Sequence, residues 1–327
     1  MKLIENLDNI IELNLPYPFL KEYNSFENTI SKCVYVISQN GKLIMPVKIE
    51  KVFFLKRLNI IYPPVTIEGD KPTLIEEQNF LNEFIIYCKK NNLADRIAQP
   101  LLLNAFQTYP SKSIFCEFGQ MVIETEIQTE DEIFNGINSR DRRYIKAAPK
   151  SGAICKFEDC IEDFYKVFKE TMISNNLFYH DLKYFQDFQN HLPNNVLCGV
   201  VYVNGVAEGS LFICYTNHSA FFLYGGAIEQ KVKGSVKLLH YEAFKILKLK
   251  GVKQCVLGGA RINVSPSKKQ HGIQQFKEKL ETIMTVGYLW KKDINILKCF
   301  IFDGLVISKN MLTLRKKHLD VIDQERK

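Results

Sequence analysis

The 327-residue sequence contains no C-x-x-C pair. Its nine cysteines are scattered, and the closest two, Cys155 and Cys160, have no histidine near them to complete a zinc set. Neither a zinc module nor a disulfide framework is expected, and a reducing, cytoplasmic setting fits this cysteine usage. No G-x-S-x-G, P-loop or H-E-x-x-H pattern occurs, so hydrolase, kinase and metalloprotease readings have no motif to rest on. The opening stretch MKLIENLDNIIEL is broken by Glu5, Asp8 and Glu12, which excludes a signal-peptide core there. Residues 209–228 lack any formal charge, but Thr216-Asn217-His218-Ser219 interrupts them. Two strands and a turn are expected there, not a membrane span. No low-complexity tract or repeat is legible.

What is present is the composition of a folded protein, 46% hydrophobic and 24% charged, long enough for one large core or two modest ones. The net charge of +7 is unevenly placed: residues 231–327 hold 21 Lys and Arg against 8 Asp and Glu, whereas residues 1–230 hold 22 against 28. Such a field suits an anionic partner (nucleic acid, a phosphorylated carrier or a pyrophosphate), or else it is a solvated basic surface.

Turn chemistry and periodicity divide the chain into elements. CVYVIS, the turn Gln39–Lys42 and LIMPVKIE predict a hairpin. Apolar residues at helical spacing (Phe80, Leu81, Phe84, Ile85) predict a helix over 74–91, and the alternation of 121–127 predicts a strand ahead of a Thr129/Glu132 capping box. In the later part, Phe164, Val167, Phe168, Thr171 and Met172 share a helical stripe. Then follow VLCGVVYV, the Asn204-Gly205 turn, VAEGSLFICY, a polar turn and AFFLYGG, a three-stranded antiparallel meander. A helix over about 235–250, stopped by Gly251, precedes the strand VKQCVLGG.

The joint GGAIEQKVKGSVKLL places a glycine turn before a helix, an arrangement that can bind an anion. The order of elements resembles the GNAT acyltransferases, in which this joint cradles the pyrophosphate of coenzyme A. Lys231, Gly234 and Val236 stand at the matching positions, and Val236 replaces a small residue that lets backbone approach phosphate. A second basic stretch, RDRRYIKAAPKSG, sets Arg142, Arg143, Lys146 and Lys150 within about two helical turns. It is either a surface helix or a grip on phosphate.

Taken in order, Arg143–Gly152, Glu170-Thr171-Met172, Tyr184-Phe185, Tyr224-Gly225-Gly226, the 235–250 helix, Leu257-Gly258-Gly259 and Phe276-Lys277 resemble the FemAB-like acyltransferases over roughly residues 120–300. That family includes the peptidoglycan-bridge Fem enzymes and relatives in envelope-polysaccharide clusters. The resemblance implies a mixed α/β (α+β) fold of two tandem GNAT-like domains with mostly antiparallel sheets, here divided as 1–134 and 135–327. The last strands would pack back on the first domain. It implies an acyl or aminoacyl group passed to an amine of an envelope glycan, peptide or lipid-linked precursor. The donor would be aminoacyl-tRNA or acyl-CoA, with no tightly bound cofactor, no metal and no DNA. Where many relatives carry an arginine after Glu-Thr-Met, this chain has Ile173-Ser174-Asn175-Asn176.

By this mapping Phe276 and Lys277 lie at the reaction, and Tyr224 lines the cleft at the end of the third strand. Arg142, Arg143, Lys146, Gly225, Gly226, Lys233, Gly234, Gly259 and His271 bind substrate. The glycine-hinged loop from Gly258, with Lys268-Lys269, would cover the acceptor. The rival expectations are an acyl-CoA-dependent N-acetyltransferase and a non-enzymatic RNA- or glycan-binding protein. A peripheral membrane contact is compatible with the charge.

Overall fold

A computed structural model describes residues 1–5, 7, 14–100, 104–229, 231–262, 269–280, 282–312 and 320–326. In the first part, β1 (Lys2–Ile4) and α1 (Lys21–Asn28) precede a meander of β2 (Lys32–Ile37), β3 (Leu43–Val52) and β4 (Leu55–Ile60), with the short β5 (Val65–Thr66) against β3. α2 (Leu74–Lys90) starts at a Thr73/Glu76 capping box, whose reciprocal bonds satisfy amides the helix itself cannot. β6 (Arg96–Ile97) then returns parallel to β4 for two residue pairs, Arg57↔Arg96 and Leu58↔Ile97.

β7 (Ile114–Ile123) follows, then α3 (Glu130–Gly136) on its expected Thr129/Glu132 capping box and α4 (Ser139–Ala147). The strand expected over 121–127 thus begins earlier and ends at Ile123, leaving Ile127 79% exposed. The reason lies in the partner: Ile123 pairs with Cys255, where the neighbouring strand begins, and beyond it the single backbone bond from the Glu126 amide to the Lys253 carbonyl (2.9 Å) does not extend the ladder. β8 (Ala153–Lys156), α5 (Ile161–Ser174) and α6 (Leu182–His191) lead into the meander β9 (Val196–Val203), β10 (Val206–Tyr215) and β11 (Ala220–Ala227). Asn204 and Gly205 both have positive φ, as a two-residue hairpin turn of this twist demands. α7 (Ser235–Leu249) then crosses to β12 (Cys255–Ala260), parallel to β11 for two pairs. Last come α8 (Lys269–Glu278), β13 (Ile283–Asp293), α9 (Ile296–Leu312) and α10 (Val321–Glu325).

The order strand, strand, strand, helix, parallel strand therefore occurs twice. β7 and β13, antiparallel to each other, join the two runs, because β13 borders β6 and β7 borders β12. The result is a 13-stranded sheet whose main path is β1-β2-β3-β4-β6-β13-β7-β12-β11-β10-β9-β8. β7 lies before residue 134 yet pairs with β12 and β13, so a boundary at 134/135 cuts the chain beside a strand bonded to the later part.

Side chains of β10 alternate between two cores. Phe212 and Cys214 face α5, α6 and α1, in a core built on Phe164, Phe168, Phe185 and Phe188; Leu211 and Ile213 face α7, with Leu239, Phe244 and Leu247. The first core also takes Tyr17, Tyr23, Phe26 and Tyr62 from the N-terminal part. A separate core beneath α2 holds Phe80, Leu81, Phe84 and Trp290.

Candidate active site

β11 and β12 pair only at Ala220↔Cys255 and Phe221↔Val256. Beyond that point β11 follows β10 to Ala227, whereas β12 follows β7 through Gly259↔Gln120. The sheet opens between them, and α8 brings Lys277 to this opening. Its Nζ donates to the Gly259 carbonyl at 3.0 Å. Burial alone pulls the Lys277 amine down to about 8, and among the described residues no carboxylate lies in ion-pair range of it. An ammonium so desolvated is costly to hold without an anion, a feature of functional lysines.

Around it stand the expected Phe276 and three residues that the sequence did not single out, Lys237, Asp141 and His240. Phe276 meets the His240 ring edge-on at 5.1 Å, and Lys237 Nζ lies 5.4 Å from the Phe276 ring centre. Lys237 is paired with the buried Asp141 at 2.5 Å. His240 stacks on Phe222 at 5.6 Å, and its Nδ1 lies 2.8 Å from the Val236 carbonyl. Burial lowers its pKa to about 4, with the charges of Lys237 and Lys277 acting in the same direction, so the imidazole is neutral at pH 7. The available signal was a histidine on the helical row Val236, His240, Phe244.

Tyr224 does not join this group. It packs in the other core, against Phe168 (5.7 Å) and Phe185 (5.1 Å), with its hydroxyl 3.4 Å from that of Tyr184. Gly226 serves packing: a Cβ there would come 2.5 Å from Thr171 Oγ1 and 2.9 Å from the Val167 carbonyl. Thr171 Oγ1 in turn accepts from the Ala227 amide at 3.0 Å. The Glu-Thr-Met and Tyr-Gly-Gly segments are thus two sides of one joint between α5 and β11.

The N-terminus of α7 is already furnished. The buried Glu208 carboxylate accepts from the Val232 amide (2.9 Å) and the Ser235 hydroxyl (2.7 Å). Gly234, at φ +94°, lies under α4 so closely that a Cβ would come 2.5 Å from the Tyr144 carbonyl. Lys233 Nζ sits 5.8 Å from the Tyr144 ring centre. A carboxylate stands beside the position where a pyrophosphate would bind, and like charge there opposes a phosphate.

The basic residues of α4 do not converge. Arg142 donates to the Asn135 and Ile137 carbonyls at the end of α3. Arg143 is exposed, and Lys146 is exposed with its Nζ 5.1 Å from the Phe134 ring centre. Arg142→Ala should therefore cost about 1–2 kcal/mol in chemical denaturation by orphaning those carbonyls, whereas Arg143→Ala should stay within about 0.5 kcal/mol. His271 meets Gln275 at 2.9 Å within α8. Lys268 and the side chain of Lys269 fall outside the described residues.

A cavity of about 240 Å³ occupies the corresponding opening of the first part, past the two pairs that join β4 to β6. Tyr62, Asp70, Glu77, Asn104, Gln120 and His218 line it. Asn104 donates to the Tyr62 hydroxyl at 2.8 Å, and the buried Glu77 accepts from the Thr108 amide at 3.0 Å. Burial raises the Glu77 pKa and lowers that of His218. Gln120 links the two openings, since its register partner on β12 is Gly259, the residue whose carbonyl holds Lys277. None of the expected site residues lines this cavity, because its wall is assembled from eight separate stretches of chain.

The FemAB family model matches residues 72–208. Over that stretch, less than half of the chain, the sequence resembles the FemAB family. That match ends before Lys277, but the fold likeness extends further. The crystal structure of FemX aligns with a TM-score of 0.62 at 12% identity, over 83% of this chain and 90% of that one. The C-terminal domain of a putative lysylphosphatidylglycerol synthetase from Agrobacterium fabrum aligns with a TM-score of 0.50 at 13% identity, over 84% and 87%. The L-PGS structure from Bacillus licheniformis does so at 0.50 and 13%, over 80% and 84%. At these identities the structural likeness concerns the FemAB-like fold. No curated protein matches the chain in sequence.

Proposed function

We propose that this FemAB-like chain, read as two GNAT-like halves, is an acyltransferase that forms an amide on an amine of a cell-envelope glycan or peptide precursor. The observation that carries the reading is Lys277, a partly buried ammonium with no carboxylate in ion-pair range among the described residues, held at the opening between β11 and β12. In such a transfer the amine adds to the acyl carbon of an activated ester, charge collects on the carbonyl oxygen, and the leaving group departs as the amide forms. The amine's proton passes to the leaving group. A fixed cation facing the developing charge is the type of group that speeds this step. Phe276 and Lys237 would shape and charge its surroundings, and catalysis would rest on positioning more than on a strong base.

The donor in this reading is aminoacyl-tRNA. Glu208 and Tyr144 at the start of α7 disfavour the coenzyme A pyrophosphate mode, and the basic final third suits a large polyanion. The names of the similar structures, FemX and lysylphosphatidylglycerol synthetase, agree with aminoacyl chemistry on envelope components. The test offers aminoacyl-tRNA and acetyl-CoA in parallel to amine acceptors and seeks the amide by mass spectrometry. A product from aminoacyl-tRNA is expected, with RNA affinity falling steeply as salt rises, because phosphate contacts release counterions. Tight acetyl-CoA binding in calorimetry, without salt-sensitive RNA affinity, would favour the N-acetyltransferase reading instead.

A further inference from the structure

The β3–β4 hairpin and α9 carry an apolar surface that neither opening uses. Phe53 and Phe54 form the hairpin tip between the paired residues Val52 and Leu55. Phe53 is 77% exposed and has φ +55°, a conformation that bulky side chains rarely adopt. α9 turns Cys299 and Phe302 inward: Cys299 is fully buried, and Phe302 packs 6.5 Å from Phe53 and 6.1 Å from Phe54. The opposite side of the helix is apolar as well, with Ile296, Leu297 and Phe300 at least 70% exposed and Ile301 and Leu305 also open. A helix apolar on both sides wants a second apolar medium.

The charges around this surface are one-sided. Each nearby acid is tied to a base: Asp303 and Asp293 to Arg96 (2.8 and 2.6 Å), Asp95 to Lys298 (3.1 Å), Glu50 to Arg57 (2.6 Å). The exposed Lys51 and Lys56 flank the phenylalanine pair, and among the described residues the Lys56 ammonium has only a neutral partner, the Asn92 carbonyl at 3.0 Å. At 17 residues α9 spans only about 25 Å, short of the roughly 30 Å bilayer core. It also carries Lys298, Asp303 and Lys309, and no described helix is long and apolar enough to cross a membrane. A two-fold copy of this surface would set its cationic rim against itself, whereas anionic headgroups complement it.

We propose that this face docks the protein on an anionic lipid bilayer. Phe53, Phe54, Leu297 and Phe300 enter the boundary between headgroups and acyl chains, and the lysines meet lipid phosphates. The inference stands apart from the reaction assigned above. The test is co-sedimentation of the full chain with vesicles of phosphatidylcholine alone or in an equimolar mixture with phosphatidylglycerol. Binding to the mixed vesicles, weakened by salt and at least about tenfold poorer on phosphatidylcholine alone, is the expected result. The double variant Phe53→Gly/Phe300→Ser should bind the mixed vesicles about tenfold less tightly with an unchanged melting temperature. Should that variant fold poorly, Phe53→Gly alone, which relieves the turn, still has to weaken binding. No binding of the wild type, or equal binding by the variants, overturns the proposal. So does a dimer in sedimentation velocity that Phe300→Ser dissolves, since the face would then belong to a second copy.

Discussion

Replacing Lys277 by methionine should lower turnover by about 10²–10³, the scale for losing one group that stabilises developing charge, and leave the protein folded. Methionine fills nearly the same volume and removes a desolvated charge, so neutral-pH stability should not fall. The exposed Lys279, changed to methionine, controls for lost basic charge, and equal small effects of the two substitutions would remove Lys277 from the reaction. The pH dependence gives an independent check. The ordinary lysine value is 10.5 and burial lowers that of Lys277 to about 8. Between those two values the unfolded chain holds a proton that the folded chain has released. Wild-type stability should therefore rise across that window relative to the methionine variant, and below about pH 8 the difference should be constant. Turnover runs the other way, falling as pH climbs through about 8 and the cation is lost. Both trends can be read from denaturant midpoints and initial rates across pH.

Gly234→Ala is expected to destabilise the fold by about 3 kcal/mol, combining left-handed backbone strain with overpacking. At φ +94° a side chain is strained in any surroundings, and here the Cβ would also meet the Tyr144 backbone at 2.5 Å. Gly205 separates the two causes. Its φ is +83° but nothing lies within 4 Å of its Cβ position, so Gly205→Ala should cost only about 1 kcal/mol. Urea denaturation of both variants measures the contrast. Equal losses would mean that α4 does not press on the start of α7, which would reopen that helix N-terminus to a phosphate.

Local elements were legible because their signals are local. The Thr129/Glu132 capping box, the Asn204-Gly205 turn and the α5 stripe each act over a few residues, and each element stands where its signal lies. The 121–127 strand failed for a tertiary reason: alternation says which faces a strand would present, whereas its length depends on a partner more than a hundred residues away. The site was legible in part. Phe276, Lys277 and Gly259 do meet at one opening, but Tyr224 goes to the other face, because a register shift between Phe212 and Ile213 reorients the end of β11.

By itself, then, the amino-acid sequence determined the elements, their order and the basic final third, since periodicity, capping and charge are properties of neighbouring residues. Only the tertiary structure decided three further things. It laid the same succession of pairings down twice without a legible repeat, because ladders are built from backbone groups that many sequences of the right period can supply. It set Glu208 and Tyr144 over the start of α7, closing a site that the glycine turn alone would suggest. And it left Lys277 partly buried with no carboxylate in ion-pair range among the described residues, a property of the packing around it that the sequence of its own helix does not contain.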